Sequence, residues 1–449
     1  MNKEIAKVSK FFAAKQPSAI RQAQILFAKR IAKEKETSQP LTRAVNVAIG
    51  NVSLPTYPKM IAKYSKPDDE QLKRGIWKYS ATVGTEKCRK AFKNIIRSFL
   101  PEKTKPKLSV LIGNGSSDLM KLAMLGVCGA PGTQERPLLV IDPVYTNYKS
   151  IANEMRLPLV AVSRTLQKSG KFTDIPVEVV KKAIKEYQPG GLLIIPYDNP
   201  SGQLMRQTLI NEYAKLCLEN KMFLISDEAY RGLYYTADSA PTIWKITNAD
   251  VPGIEDAGIR ISLETMSKVF NACGLRMGAL VTDNKYFHEQ AVAANTTYLC
   301  PSIIGQNLVE VFADESKQDI QNWISELRDY YQRILENLTK DFNKLLPGII
   351  ISLPEASIYS IIDVRNIAKP NFNAEDFVKY CATKGAVEIN GRQTTLLVSP
   401  MAEFYNPKPG EQNPGTTQMR IACVVSEEEM KIVPKLFAEL FRQYEARSD

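Results

Sequence analysis

The segment Ser267-Lys268-Val-Phe-Asn-Ala-Cys-Gly274-Leu-Arg276-Met-Gly278 sets one lysine among small and hydroxyl residues, directly after the run Gly-Ile-Arg-Ile-Ser at 258–262. Arg276 follows Lys268 by eight residues. Burial and neighbouring positive charge both lower an amine's pKa, so a lysine in this setting can lose its proton and attack a carbonyl. A nearby arginine and hydroxyls suit a phosphate. Together these features suggest a Schiff-base cofactor that carries a phosphate, namely pyridoxal phosphate (PLP).

Upstream and just beyond, between about 105 and 285, short apolar runs alternate with helical patterns: 108–112, 137–141, 157–162, 192–195, 222–225, 259–263 and 277–281. Such runs separated by amphipathic helices predict a largely parallel sheet covered on both faces, an α/β fold. In open sheets of this kind the ligand sits beyond the carboxyl ends of the strands. Five of the runs end in polar residues that could serve one ligand. The first leads into Gly113-Asn-Gly115-Ser116-Ser117-Asp118, where glycines permit close backbone approach and the serines and helix start favour a phosphate. The second leads to Asp142-Pro-Val-Tyr145, an aromatic able to stack on a flat heterocycle. The fourth leads to Asn199-Pro-Ser-Gly202, a turn whose amide can bond a phenolic oxygen. The fifth ends in Asp227-Glu-Ala-Tyr230; a carboxylate there is costly unless paired, and a protonated pyridine nitrogen would pair it. The sixth leads to Thr265, Ser267 and Lys268. Singly, each has a plainer explanation: a helix cap, core packing, a turn, or a solvated lysine. Jointly, five coincidences at strand ends are a poor account.

A chain of 449 residues can bury a large core and form two domains. The net charge of +11 is spread along the sequence with Asp and Glu interspersed, so no nucleic-acid partner is expected. No apolar run reaches membrane-spanning length, and residues 1–16 lack a signal-peptide hydrophobic region, so neither a membrane nor secretion is expected. The seven cysteines are odd in number and show no CxxC spacing, which fits reduced thiols in the cytoplasm. His288 is the only histidine, which nearly eliminates Ser-His-Asp, Cys-His and multi-histidine metal chemistry. The chemistry must then use lysine, tyrosine, carboxylates or a cofactor. The expected organisation is an N-terminal arm with part of a small domain (1–50), a large PLP-binding domain (51–325) and a small C-terminal α+β domain (326–449). Long helical patterns are expected at 317–346, 373–384 and 426–445, and a loop at 404–417.

The ordered set Gly115-Ser-Ser, Tyr145, Asn199-Pro-Ser-Gly202, Asp227-Glu-Ala-Tyr230, Ser267-Lys268 and Arg276 resembles the class I/II aminotransferases, in the aspartate/tyrosine aminotransferase branch of fold-type I PLP-dependent enzymes. Ala48-Ile-Gly50, Tyr79-Ser-Ala-Thr-Val-Gly84, Pro354-Glu-Ala-Ser-Ile-Tyr359 and Met419-Arg420 extend the likeness over nearly the whole chain. The resemblance implies a three-layer PLP-binding domain around a seven-stranded sheet. It implies transfer of an amino group between an L-amino acid and a 2-oxo acid by a ping-pong mechanism. By position, Lys268 would form the Schiff base and move the substrate proton, and Asp227 would hold the pyridine nitrogen protonated. Asn199 and Tyr230 would bond the phenolic oxygen, and Tyr145 would stack on the ring. Gly115, Ser116, Ser117, Thr265 and Arg276 would hold the phosphate, joined by Tyr79 from the neighbouring subunit of a homodimer. Gly50, Asn199 and Arg420 would line the substrate side, with Arg420 gripping the α-carboxylate in a bidentate fork. One departure concerns specificity. Animal-type aspartate aminotransferases grip a second carboxylate with a partner-subunit arginine, and the matching stretch, Tyr286 to Gln306, contains neither Arg nor Lys. Two other readings stay open: a C–S or β-lyase or other fold-type I enzyme on the same cofactor, and a non-catalytic binding protein, which the intact Lys268 and Asp227 oppose.

Overall fold

The computed structural model describes residues 8–133, 135–236 and 239–447. Each of the seven apolar runs forms a strand: β1 (Ser109–Gly113), β2 (Leu138–Asp142), β3 (Leu159–Ser163), β4 (Gly191–Ile194), β5 (Phe223–Asp227), β6 (Arg260–Thr265) and β7 (Gly278–Thr282). They make one sheet in the order β1-β7-β6-β5-β4-β2-β3, parallel except for β7, which runs antiparallel to both neighbours. Most strands reach a residue or two past the apolar run, so that Asp142, Asp227 and Thr265 are the last residues of β2, β5 and β6. A hydrogen-bond ladder holds a polar residue as readily as an apolar one, and apolarity alone marks the strand ends short. Alternate residues face opposite cores: Leu192, Ile194 and Leu224 pack on one side, Leu193, Ile225 and Ile261 on the other. Burial on both faces is why these strands read as continuous apolar runs.

The principal helices of the site and its frame are α1 (Ala19–Glu36), α2 (Ser116–Cys128), α3 (Thr146–Met155), α4 (Lys317–Leu345), α5 (Ala374–Thr383) and α6 (Glu427–Glu445). Ser316 caps α4 by accepting from the Asp319 N–H, and Pro347-Gly348, with Gly348 at φ +92°, stops the chain from continuing the helix. Two smaller sheets complete the frame. Arg43–Asn46, inside the expected arm, pairs in parallel with Arg392–Leu397, which pairs antiparallel with Val387–Ile389. Tyr359–Asp363 and Gln418–Ala422 are antiparallel neighbours in a four-stranded sheet flanked by Ser399–Pro400 and Ile350–Ile351. Among the described residues no helix is long and apolar enough to cross a membrane.

Buried polar contacts lock the ends of β2 and β4 together. Arg164 pairs with Asp198 at 2.8 Å and donates to the Pro143 carbonyl, while Asp142 accepts from the backbone N–H and the Nδ2 of Asn406. Asp142 is fully buried, and burial pushes its carboxyl from 3.8 up to about 6 despite those donors. A raised folded-state value means its contribution to stability is complete below about pH 4 and is lost as pH rises through about 6. Denaturation of the wild type and of Asp142→Asn, compared from pH 4 to 7, is therefore expected to show the wild type losing on the order of 2–3 kcal/mol relative to the variant. A pH-independent difference between the two would show that Asp142 does not titrate in this window.

Candidate active site

The carboxyl ends of β1, β2, β4, β5 and β6 converge on a cavity of about 300 Å³, a volume suited to a small ligand. At one part of its wall, Gly115 precedes α2 with φ +88° and supplies no side chain to cap the helix. The first-turn N–H groups of α2 therefore stay free for an anion. The Arg276 guanidinium lies against Gly115 so closely that a Cβ there would stand 2.6 Å from Nη2. Ser116, Ser117, Thr265, Ser267 and Arg276 all line this wall, with the Thr265 and Ser267 hydroxyls 2.8 Å apart. Hydroxyl donors and one cation, with no carboxylate among these residues, make a cup whose chemistry suits an anion.

Lys268 sits on the turn after β6, and its Nζ donates to the Gly50 carbonyl. Gly50 has no room for a side chain: a Cβ would collide with the Tyr359 hydroxyl and come within 3.4 Å of Lys268 Nζ. Tyr359 Oη in turn bonds Tyr230 Oη at 2.6 Å. Burial, with the neighbouring Tyr359 hydroxyl, holds the Tyr230 phenol well above its ordinary range, so it stays a neutral donor.

Arg420 projects from the strand Gln418–Ala422 and is 3 % exposed. Its Nη1 donates to Asn199 Oδ1 at 2.7 Å and its Nη2 to the Ala48 carbonyl at 2.8 Å, and its Cζ lies 4.3 Å from the Tyr359 ring centroid. Its Nε is buried with no partner, and among the described residues no carboxylate pairs with it. A desolvated, unpaired guanidinium is costly in an apolar surround. A ligand carboxylate would relieve that cost. Asn199 lines the cavity, and because its Oδ1 is taken by Arg420, Nδ2 is left as the amide's donor.

Asp227 ends β5 with 8 % exposure, accepting from the Ala229 N–H at 3.0 Å and from the Tyr148 hydroxyl. Burial raises its carboxyl above the ordinary range, and the Tyr148 and Ala229 donors oppose that rise. Tyr145, the residue before α3, packs edge-on to Tyr148 with centroids 5.6 Å apart, and burial pushes its phenol up to about 12.

Of the residues the sequence singled out, Gly50, Ser116, Ser117, Tyr145, Asn199, Asp227, Tyr230, Thr265, Lys268, Arg276 and Arg420 line this one cavity, and Gly115 backs its cup. Tyr79 does not; it is 78 % exposed on the outside of the chain. Sequence reasoning missed the contact of Tyr148 with Asp227 and the place of Tyr359 and Arg21 on the cavity wall. Tyr148 was within reach of it, since a residue three positions beyond Tyr145 on a helix shares its face.

The profile of the family "Aminotransferase class I and II" matches residues 42–434. The chain belongs to that family. It is an amino-acid aminotransferase, and enzymes of the family work with PLP. Among curated relatives, the aspartate aminotransferase of Sulfurisphaera tokodaii is 24 % identical over 79 % of this chain and 83 % of its own length. The LL-diaminopimelate aminotransferase 2 of Trichormus variabilis is 23 % identical over 86 % and 88 %. A Thermus thermophilus aspartate aminotransferase mutant superposes with a TM-score of 0.74 at 18 % identity, covering 97 % of this chain and 100 % of that one. These likenesses establish the fold-type I architecture; the named substrates belong to those proteins.

Proposed function

We propose that this aminotransferase holds PLP in the cavity described above and exchanges amino groups between an L-amino acid and a 2-oxo acid in two ping-pong half-reactions. The observation that carries the reading is Arg420, a buried guanidinium with no carboxylate partner among the described residues, lining the same small cavity as Lys268 and the anion-suited cup. The donor set fits the cofactor. Ser116, Ser117, Thr265, Arg276 and the free amides of α2 would hold the phosphate, with Gly115 giving them room. Tyr145 would lie on the ring, Asp227 would meet its pyridine nitrogen, and Asn199 Nδ2 and Tyr230 would donate to its phenolic oxygen.

When bound, PLP supplies an electron sink for the pair left behind at the substrate Cα. The chain's own residues do the rest. Arg420 binds the α-carboxylate in a fork held by Asn199 and Ala48, which fixes the Cα. Among the described residues Lys268 Nζ is the one lysine amine on the cavity wall, and in its neutral form it takes the Cα proton and returns it on the other side of the exchange. The Tyr230–Tyr359 pair and Gly50 limit where that amine can go.

Three coarser readings accompany this one. The exposed Tyr79, Tyr286 and Tyr298 suit burial against a second copy, which supports a homodimer in which Tyr79 reaches the partner's phosphate. The seven free cysteines support a cytoplasmic setting. The pairing of Arg43–Asn46 with Arg392–Leu397 supports grouping residues 1–50 with the small domain (326–449), apart from the large domain (51–325).

A half-reaction screen tests the function. The PLP-loaded protein is mixed with single amino acids while its visible absorbance is followed. Loss of the band with 2-oxo acid formation, and turnover only after a 2-oxo acceptor is added, is the expected result. Release of pyruvate and ammonia without an acceptor would assign it to the lyases instead.

A further inference from the structure

Among the described residues the cavity wall carries four cationic side chains, Arg21, Lys268, Arg276 and Arg420, against one carboxylate, Asp227. On the aminotransferase reading, three of the four have work. Arg276 belongs to the phosphate cup, Lys268 is the reacting amine, and Arg420 meets the α-carboxylate. Arg21 has none.

Arg21 is the third residue of α1, and Ser18 and Ile20 beside it line the same cavity. Its Nη1 donates to Gln24 Oε1 at 2.9 Å, and among the described residues it forms no ion pair. The helix that carries it is pinned. Toward its far end, Arg30 donates to the Gly385 carbonyl at 2.9 Å, and Glu34 accepts from the Thr42 N–H and hydroxyl at 2.8 Å. At its near end the Ala19 N–H reaches the Glu403 carboxylate at 3.4 Å. An 18-residue helix fixed at both ends presents Arg21 to the cavity as part of a rigid element. The stretch from Tyr286 to Gln306, by contrast, contains neither Arg nor Lys.

We propose that Arg21 is a specificity-determining residue that binds the side-chain carboxylate of the substrate. The amino donors and 2-oxo acceptors this enzyme prefers are then dicarboxylates, with one carboxylate on Arg420 and the other on Arg21. This rests on the aminotransferase reading for the chemistry but not for the binding. An exposed guanidinium that forks onto a carboxylate gains a charge-assisted pair without a buried penalty, and Gln24 is an easily displaced partner.

The test uses the PLP-loaded protein and Arg21→Gln, whose exposed position spares the core. Half-reaction rates are measured with glutamate and aspartate against alanine and norvaline, and glutarate binding is measured by calorimetry, which needs no chemistry. The wild type should prefer glutamate or aspartate. The variant should lose at least about tenfold in kcat/KM for them and in glutarate affinity, with alanine and norvaline unchanged. Preference of the wild type for the monocarboxylates, an equal loss for all four amino acids, or unchanged glutarate binding would each overturn the proposal. If no amino acid reacts yet glutarate binding still depends on Arg21, the subsite stands and the aminotransferase reading falls.

Discussion

Replacing Lys268 by Ala is expected to cut the half-reaction with every substrate by at least about 10⁴-fold, and to abolish the visible absorbance that PLP acquires on binding. Positioned acid–base groups contribute roughly 10²–10⁴-fold on their own, and this residue is also the covalent anchor. Geometry makes a substitute hard to find. Among the described residues Lys268 Nζ is the only lysine amine on the cavity wall, and Gly50 and the Tyr230–Tyr359 pair close in around it. The hydroxyls nearby cannot take its place, because burial keeps the Tyr145 and Tyr230 phenols protonated across the working pH range. Lys268→Arg separates charge from reactivity, since a guanidinium keeps the cation but does not give up its proton. It should be as inactive as the alanine variant while remaining folded by circular dichroism. A Lys268→Ala protein that still turned over within about tenfold of the wild type would remove the residue from the chemistry.

The same segment shows how far a sequence reaches toward a site of this kind. The strands were legible because a sheet buried on both faces must be apolar along its whole length, as in Leu192–Ile194 and Phe223–Ile225. Their polar termini were legible as candidates because sheet topology gathers strand ends in one place. What stayed hidden depends on contacts between distant parts of the chain. Nothing local in Arg43–Asn46 announces that it pairs with Arg392–Leu397, and nothing near Arg21 announces that the first turn of α1 lines the same cavity as Lys268. Tyr359 was visible as part of a motif but without a role, because its partner, Tyr230, lies 129 residues earlier. Tyr79 marks the opposite limit. Its exposed side chain has meaning for the site only if a second copy supplies it, and no pattern within one chain can place that copy.

Asp227→Asn is expected to slow the half-reaction by roughly 10²–10³-fold, the range set by breaking one buried charged pair. The carboxylate is poised between opposing influences. Burial drives it toward the neutral acid, while the Tyr148 hydroxyl and the Ala229 N–H hold it ionised. Only the ionised form can keep a pyridine nitrogen protonated, so Tyr148 acts through Asp227 as a positioning residue. Tyr148→Phe removes one of the two donors and lets the carboxyl pKa rise further. A group that must be ionised supports activity above its pKa and loses it as pH falls through that value. The acid limb of the half-reaction profile should therefore move to higher pH in Tyr148→Phe, with near wild-type rates at the alkaline plateau. Asp227→Asn has no carboxylate to titrate and should be slow at every pH. A packing role for Tyr148 would lower the rate uniformly and leave the limb in place. An unmoved limb, or one displaced to lower pH, would break the link between the Tyr148 hydroxyl and the charge on Asp227.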